Sequence, residues 1–212
     1  MPTEIEAKFR ADDDAPLTML EQADALGPGE LAKSRSVDEV DVYLDTERGD
    51  LAAARWACRL RSREGQVRVS LKGPAQVVGD AWLHRRPEVE GPATKDLDPA
   101  RWPPSEARDL VDRLRQGAAL LERFTLRQQR VERRVRVGAR ELGTLTLDRA
   151  NVEHRGRSLG RLHVVELELH GASTPDDQRL LGELAAALET VPGLVAEERT
   201  KLEHAVELIG TR

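Results

Sequence analysis

The chain predicts an α+β fold in which half-apolar strands dominate and a few amphipathic helices cover them. Three observations predict it. Segments with apolar residues at alternate positions recur along the whole chain, the period of a strand buried on one face. Stretches with helical apolar spacing, bounded by caps and breakers, stand between and after them. The polar positions of the strands carry charge in doublets, E-x-E and R-x-R, where a merely solvated face would intersperse Lys and Glu.

The elements follow in order. Residues 2–10 form a strand with Glu4, Glu6 and Lys8 on one face and Ile5, Ala7 and Phe9 on the other. Two carboxylates and an ammonium in one row suit a cation and an anion held side by side, as in a metal–polyphosphate pair. Residues 16–26 predict a helix with Leu17, Leu20 and Leu26 on one side, stopped by Gly27-Pro28-Gly29. Residues 37–45 predict a strand, with Val40, Val42 and Leu44 apolar and Asp41, Tyr43 and Asp45 opposite. Residues 56–63 and 66–73 predict a hairpin turning at Glu64-Gly65. Arg59 and Arg61 share one face of its first arm, against Cys58 and Leu60. Arg68, Ser70 and Lys72 share one face of the second.

Residues 82–90 form another strand, with Arg86, Glu88 and Glu90 in a row, and 91–104, rich in Pro and Asp, form a loop. Ser105 caps a helix to about Gln116, with Ala107, Leu110, Val111 and Leu114 as its buried stripe. Residues 123–137, 141–153 and 160–170 are strands. Thr144, Thr146 and Asp148 alternate with Leu145 and Leu147, and Glu166-Leu167-Glu168-Leu169-His170 closes the series. Thr174 as N-cap and Pro175 at the first position start a helix to about Glu189. A last helix spans about 196–209, with Leu202, Ala205, Val206 and Ile209 on one face.

Composition narrows the function. The chain has 212 residues, 33% of them charged and 3% aromatic, so aliphatic side chains must form the core. A net charge of −5 argues against a general nucleic-acid binder but not against a local anion site. One cysteine, Cys58, excludes an intrachain disulfide and a cysteine-based zinc site, and it reads as core. No signal peptide and no apolar run of about 20 residues is visible, so a cytoplasmic protein without membrane contact is expected. The histidines stand at no mutual metal spacing, and His84 is expected at a solvated rim. Trp56, Trp82 and Trp102 read as packing or barrel-end residues. No P-loop, GxGxxG or HExxH pattern occurs.

The opening E-x-E-x-K, followed by R-x-R, S-L-K, E-x-E, a lone Arg, a lone Asp and E-L-E, resembles the CYTH domain of the triphosphate tunnel metalloenzymes. The resemblance spans Glu4 to Lys201 and rests on the order of the motifs more than on any one of them. It implies one domain over 1–212, last helix included. The fold it implies is an antiparallel eight-stranded closed β-barrel, a tunnel with a charged interior and helices packed on the outside.

Phosphate oxygens call for guanidinium and ammonium donors, and Mg2+ or Mn2+ for carboxylate oxygens. The resemblance gives Lys8, Arg59, Arg61, Lys72, Arg130 and Lys201 as substrate-binding residues, with Arg127 as an alternative on a strand where a bulge would change which arginines face inward. Arg59 and Arg61 would repel without a shared anion, or would pair with Glu88 and Glu90. Glu4, Glu6, Asp148, Glu166 and Glu168 are the metal candidates, with Glu88 and Glu90 behind them or holding a second ion. Asp148 has an equal reading as partner of a lining arginine. Glu4, Glu168 and Lys201 are the catalytic candidates, Lys201 reaching into one mouth from Thr200-Lys201 where the family has Ser-Lys. His170 stands where a third acid often continues the late motif and is expected at the rim.

The implied activity is divalent-metal-dependent hydrolysis of a small triphosphate, tripolyphosphate first and nucleoside or thiamine triphosphate next, by a monomer or homodimer. The resemblance leaves two alternatives: a class IV-type adenylate cyclase making cyclic AMP from ATP, and a non-catalytic polyphosphate- or nucleotide-binding module.

Overall fold

A computed structural model describes residues 3–74, 76–77, 82–171 and 174–210. Its elements are β1 (Thr3–Ala11), α1 (Ala15–Gln22), β2 (Ala25–Leu26), β3 (Gly29–Leu31), β4 (Arg35–Thr46), α2 (Asp50–Ala53), β5 (Ala57–Arg63), β6 (Gln66–Lys72), β7 (Gln76–Val77) and β8 (Leu83–Pro92). After a 3-10 turn at Pro99–Arg101 come α3 (Glu106–Arg115), β9 (Leu120–Val137), β10 (Arg140–His154), β11 (Arg157–Leu169), α4 (Pro175–Glu189), β12 (Leu194–Ala196) and α5 (Lys201–Gly210).

Eight strands close into a ring: β1–β8–β6–β5–β4–β9–β10–β11 and back to β1, every pair antiparallel. The apolar face of each strand points out. Leu17 and Leu20 of α1, and Leu181, Leu184 and Leu188 of α4, pack over Ala7, Phe9, Leu145, Leu147, Val165 and Leu167. Leu110 and Val111 of α3 cover Leu60, Val69, Leu71 and Val89. Ala205 and Leu202 of α5 instead meet Phe124, Leu126 and Val152, which stand in the same inward rows as Arg130 and Asp148, so α5 closes one end of the barrel with an apolar layer. Apart from that layer the hydrophobic core lies between barrel and helices, and the charged rows turn inward. This inverts the small barrel whose interior is filled by apolar side chains. Cys58 is buried in that outer core, where burial pushes its thiol up to about 12.

Two helix boundaries differ from the sequence expectation. The helix expected over 16–26 ends at Gln22, and Ala25–Leu26 pairs with Gly29–Leu31 in a small hairpin on β9. Arg133 explains the stop. Its guanidinium donates to the carbonyls of Leu20, Glu21, Ala23, Leu31 and Ala32, and so satisfies the acceptors that a helix end leaves open. Leu26 stays buried in the same cluster, so the hydrophobic pattern is kept while the backbone changes. The helix expected from 196 begins at Lys201, because β12 pairs with β1 and Thr200 then caps α5 reciprocally with Glu203. The hairpin turn at Glu64-Gly65 has both residues at positive φ, 50° and 80°, as expected for such a turn. Among the described residues no helix is long and apolar enough to cross a membrane.

Gly143 is the tightest position for the site. It sits at a bulge in β10 against β9, and a Cβ there would come within 2.1 Å of the backbone oxygen of Glu168. Backbone cannot swing aside as a side chain can. Gly143→Ala is therefore expected to cost about 1–3 kcal/mol in urea unfolding, the range of overpacking, and to displace Glu168.

Candidate active site

The inward rows enclose one cavity of about 660 Å³. Glu4, Lys8, Arg59, Arg61, Lys72 and Glu88 all line it, as do Glu90, Arg130, Glu166, Glu168 and Lys201. Glu6 and Asp148 are buried beside it, paired to lining cations. Strand register explains the gathering. Lys8 stands opposite Glu166, Glu4 opposite Arg86, Lys72 opposite Glu88, and Asp148 opposite Arg130.

Three charge clusters result. In the first, Asp41 accepts two hydrogen bonds from Arg61, at 2.8 and 2.7 Å, and one from Arg59 at 3.3 Å. Burial would raise the Asp41 carboxyl, but Arg59 and Arg61 hold it far below the carboxylate range. Neighbouring Glu39 accepts from Gln128 and Arg63 and pairs with Arg61 at 3.3 Å. In the second, Asp148 accepts two 2.7 Å bonds from Arg130, and the Lys201 ammonium bridges Asp148 and Glu166 at 2.5 and 2.9 Å. Burial works against the Glu166 charge, yet Lys201, Lys8 and Arg130 keep its pKa well below the usual value. The same two carboxylates raise Lys201 against its own burial.

The third cluster is acidic and under-compensated. Glu4 accepts from Lys72 and from Arg86, both at 2.6 Å; Glu6 accepts from Arg86 at 2.9 Å; Glu88 accepts from Ser70 at 2.8 Å. Glu168 stands directly opposite Glu6 across β1 and β11, a like-charge pair that costs energy. Among the described residues the Glu168 carboxylate has no hydrogen bond or ion pair. It is open to the solvent of the lumen, yet crowded by protein. Burial first, then Glu4, Glu6 and Glu88, push its carboxyl up to about 7, with Lys72 pulling the other way.

As the side chains lie, no three acidic, histidine or cysteine groups among the described residues stand close enough to hold a metal. Lys72 and Arg86 occupy oxygens of Glu4 and Glu6 instead. The donor set is nonetheless all carboxylate, the chemistry of hard divalent cations, and Glu168 is short of a positive partner. The residues fit such an ion.

Three expectations are corrected. Arg127 does not face the lumen: its side chain is 60% exposed and pairs with Glu153 at 2.9 Å. Gln128, Arg130 and Glu132 take the inward positions, so Arg127 falls on the outer face. Arg59 and Arg61 pair chiefly with Asp41, and Arg59 comes only within 4.0 Å of Glu88. His84 is fully buried, with Nε2 2.7 Å from the Glu197 carbonyl oxygen, because β12 and the segment after it cover the end of β8. Trp56 is half-buried and lines the cavity, whereas Trp82 and Trp102 are core. His170 is exposed at the rim, hydrogen-bonded to Thr144.

Sequence reasoning gave no site role to Asp41, Glu39 or Arg86. All three stood in inward rows. Asp41 alternates with Val40 and Val42, and Arg86 precedes Glu88 by two, which was the available signal.

Comparison with known proteins agrees with the geometry. Among solved structures, HpAC1 of Hippeastrum, named for adenylyl cyclase and described with a dominant triphosphatase activity, is 21% identical, with 96% of this chain and 95% of that chain covered at a TM-score of 0.68. A Bacillus halodurans protein named for adenylate cyclase is 19% identical over 96% and 98%, with a TM-score of 0.57. The Mimivirus capping-enzyme triphosphatase is 11% identical over 88% and 89%, with a TM-score of 0.50. At such identities these likenesses show the fold. No curated protein sequence matches. The model of the CYTH domain matches residues 2–203, and the chain belongs to the CYTH family.

Proposed function

We propose that this barrel is a divalent-metal-dependent triphosphatase that cleaves tripolyphosphate to pyrophosphate and phosphate, with Mg2+ or Mn2+ as the ion. Nucleoside and thiamine triphosphates are the related substrates. The observation that carries the reading is the sharing of one lumen by buried guanidinium and ammonium groups and by an acidic cluster short of positive charge. A pure anion binder would gain nothing from Glu4, Glu6 and Glu168 together.

Arg59, Arg61, Arg130 and Lys72 would hold the phosphates extended, and Lys8 and Lys201 would neutralise them from the side. Arg59 is suited to this: its Nε is buried without a partner, so part of the guanidinium is free for a phosphate oxygen. Glu4, Glu6 and Glu168 would hold the ion, with Asp148 and Glu166 next to it and Glu88 and Glu90 supporting. The ion, when bound, supplies charge neutralisation at the phosphoryl group being transferred. Glu4 and Glu168 would orient the attacking water, whose oxygen bonds to the terminal phosphorus as pyrophosphate leaves. Preorganised charge and positioning would account for most of the rate.

A substrate panel tests this. Phosphate release from tripolyphosphate is expected with Mg2+ or Mn2+ and none with chelator. Arg59→Ala is expected to raise KM at least about tenfold, as the loss of a charge-assisted hydrogen bond of 1.5–3 kcal/mol implies. No release from any triphosphate with either ion would overturn the proposal, and cyclic AMP from ATP would replace it with the cyclase reading.

A further inference from the structure

We infer that Arg86 is a positioning residue that changes partners: it neutralises Glu4 and Glu6 until a divalent ion reaches them, then turns to the phosphate chain, so that ion and triphosphate bind cooperatively. The inference rests on the triphosphatase reading and gives it a binding order.

The geometry is that of a fork between two acids. Arg86 Nε donates to Glu4 Oε2 at 2.6 Å and Nη2 to Glu6 Oε1 at 2.9 Å. All three side chains are nearly closed to solvent, at 8%, 3% and 2% exposure. A buried charge cannot be stranded cheaply. The guanidinium can leave the carboxylates cheaply only if another anion receives it, and its departure takes one of two cations from each acid, Lys72 remaining on Glu4 and Lys8 on Glu6, a loss that an incoming cation offsets. Arg86 lines the same cavity as Arg59. The unpartnered Nε of Arg59, itself buried, points independently to an anion in that space. An ion alone would strand Arg86. A triphosphate alone would draw Arg86 away and leave Glu4 with Lys72 at 2.6 Å and Glu6 with Lys8 at 3.2 Å, one cation fewer beside the unpaired Glu168. The two together replace every broken pair, which is positive coupling, and coupling of binding is reciprocal.

Mn2+ binding, followed by electron paramagnetic resonance at buffered free Mn2+, tests this without turnover. In the wild type, a non-hydrolysable tripolyphosphate analogue is expected to tighten Mn2+ binding about tenfold, within the usual span of coupling between sites. In Arg86→Gln, Mn2+ alone should bind about tenfold tighter than in the wild type, and the analogue should add little. Arg86→Lys, which keeps the charge but cannot bridge both acids, should fall between them, and it carries the test if the glutamine variant does not fold. Unchanged or weaker Mn2+ binding in the variants, with both ligands still bound by the wild type, overturns the exchange alone. Failure of the wild type to bind either ligand overturns the triphosphatase reading and this inference with it.

Discussion

Glu168→Gln is expected to cut metal-dependent tripolyphosphate hydrolysis at least about 100-fold, the upper end seen when groups that merely support metal ligands are removed, while the protein stays folded. The stability result should go the opposite way to activity. In the native chain the Glu168 carboxyl is pushed up to about 7, against an ordinary 4.5, because the protein crowding it on the lumen wall partly desolvates it and Glu4, Glu6 and Glu88 stand near. Between those values the native state binds more protons than the unfolded one. Stability from this group is therefore fully present below about 4.5 and is lost as pH rises through about 7. Glutamine carries no such loss. With chelator present, the wild type should melt progressively lower relative to the variant as pH rises from 5 to 7.5. Identical melting profiles for the two proteins would show that the Glu168 charge is already compensated. Ion affinity should rise across the same window in the wild type, since proton and metal compete for one carboxylate.

That under-compensated acid could be placed from sequence, but its isolation could not. Period-2 alternation tells which side chains share a face, and it put Glu4, Glu6, Lys8, Arg59, Arg61, Lys72, Glu166 and Glu168 on charged rows that do turn inward. It says nothing about which rows meet across the barrel. Arg59 and Arg61 were matched with Glu88 and Glu90, yet β4 supplies Asp41 directly opposite Arg61. The choice between Arg127 and Arg130 depended on where β9 bulges. The irregularity against β4 falls at Tyr43/Leu44, before both residues, so the even positions beyond it stay inward. Helix ends failed for a related reason. Leu26 kept the apolar spacing of α1 while the backbone had already turned into β2, and Arg133, a hundred residues away in sequence, satisfies the helix end.

Asp41 separates what holds the barrel from what the barrel holds. Its side chain is closed to solvent and lies under both arginines of the R-x-R motif. Removing it leaves two buried guanidiniums on one strand with Arg68 opposite Arg61 on the next, a third positive charge in the same row. Breaking a buried pair in this way costs about 3–5 kcal/mol, so Asp41→Ala should lower the urea midpoint sharply. The contribution should persist in mild acid. Arg59 and Arg61 outweigh burial and keep the native carboxyl far below its ordinary pKa, so the stabilisation is complete above about 4 and is lost only as pH falls towards the native value. The discriminating measurement is rescue. If the arginines serve a triphosphate, tripolyphosphate should raise the melting temperature of Asp41→Ala more than that of the wild type, because the ligand restores the missing anion. Equal shifts in the two proteins would mean that Arg59 and Arg61 face their carboxylate alone, and that the phosphate chain lies elsewhere.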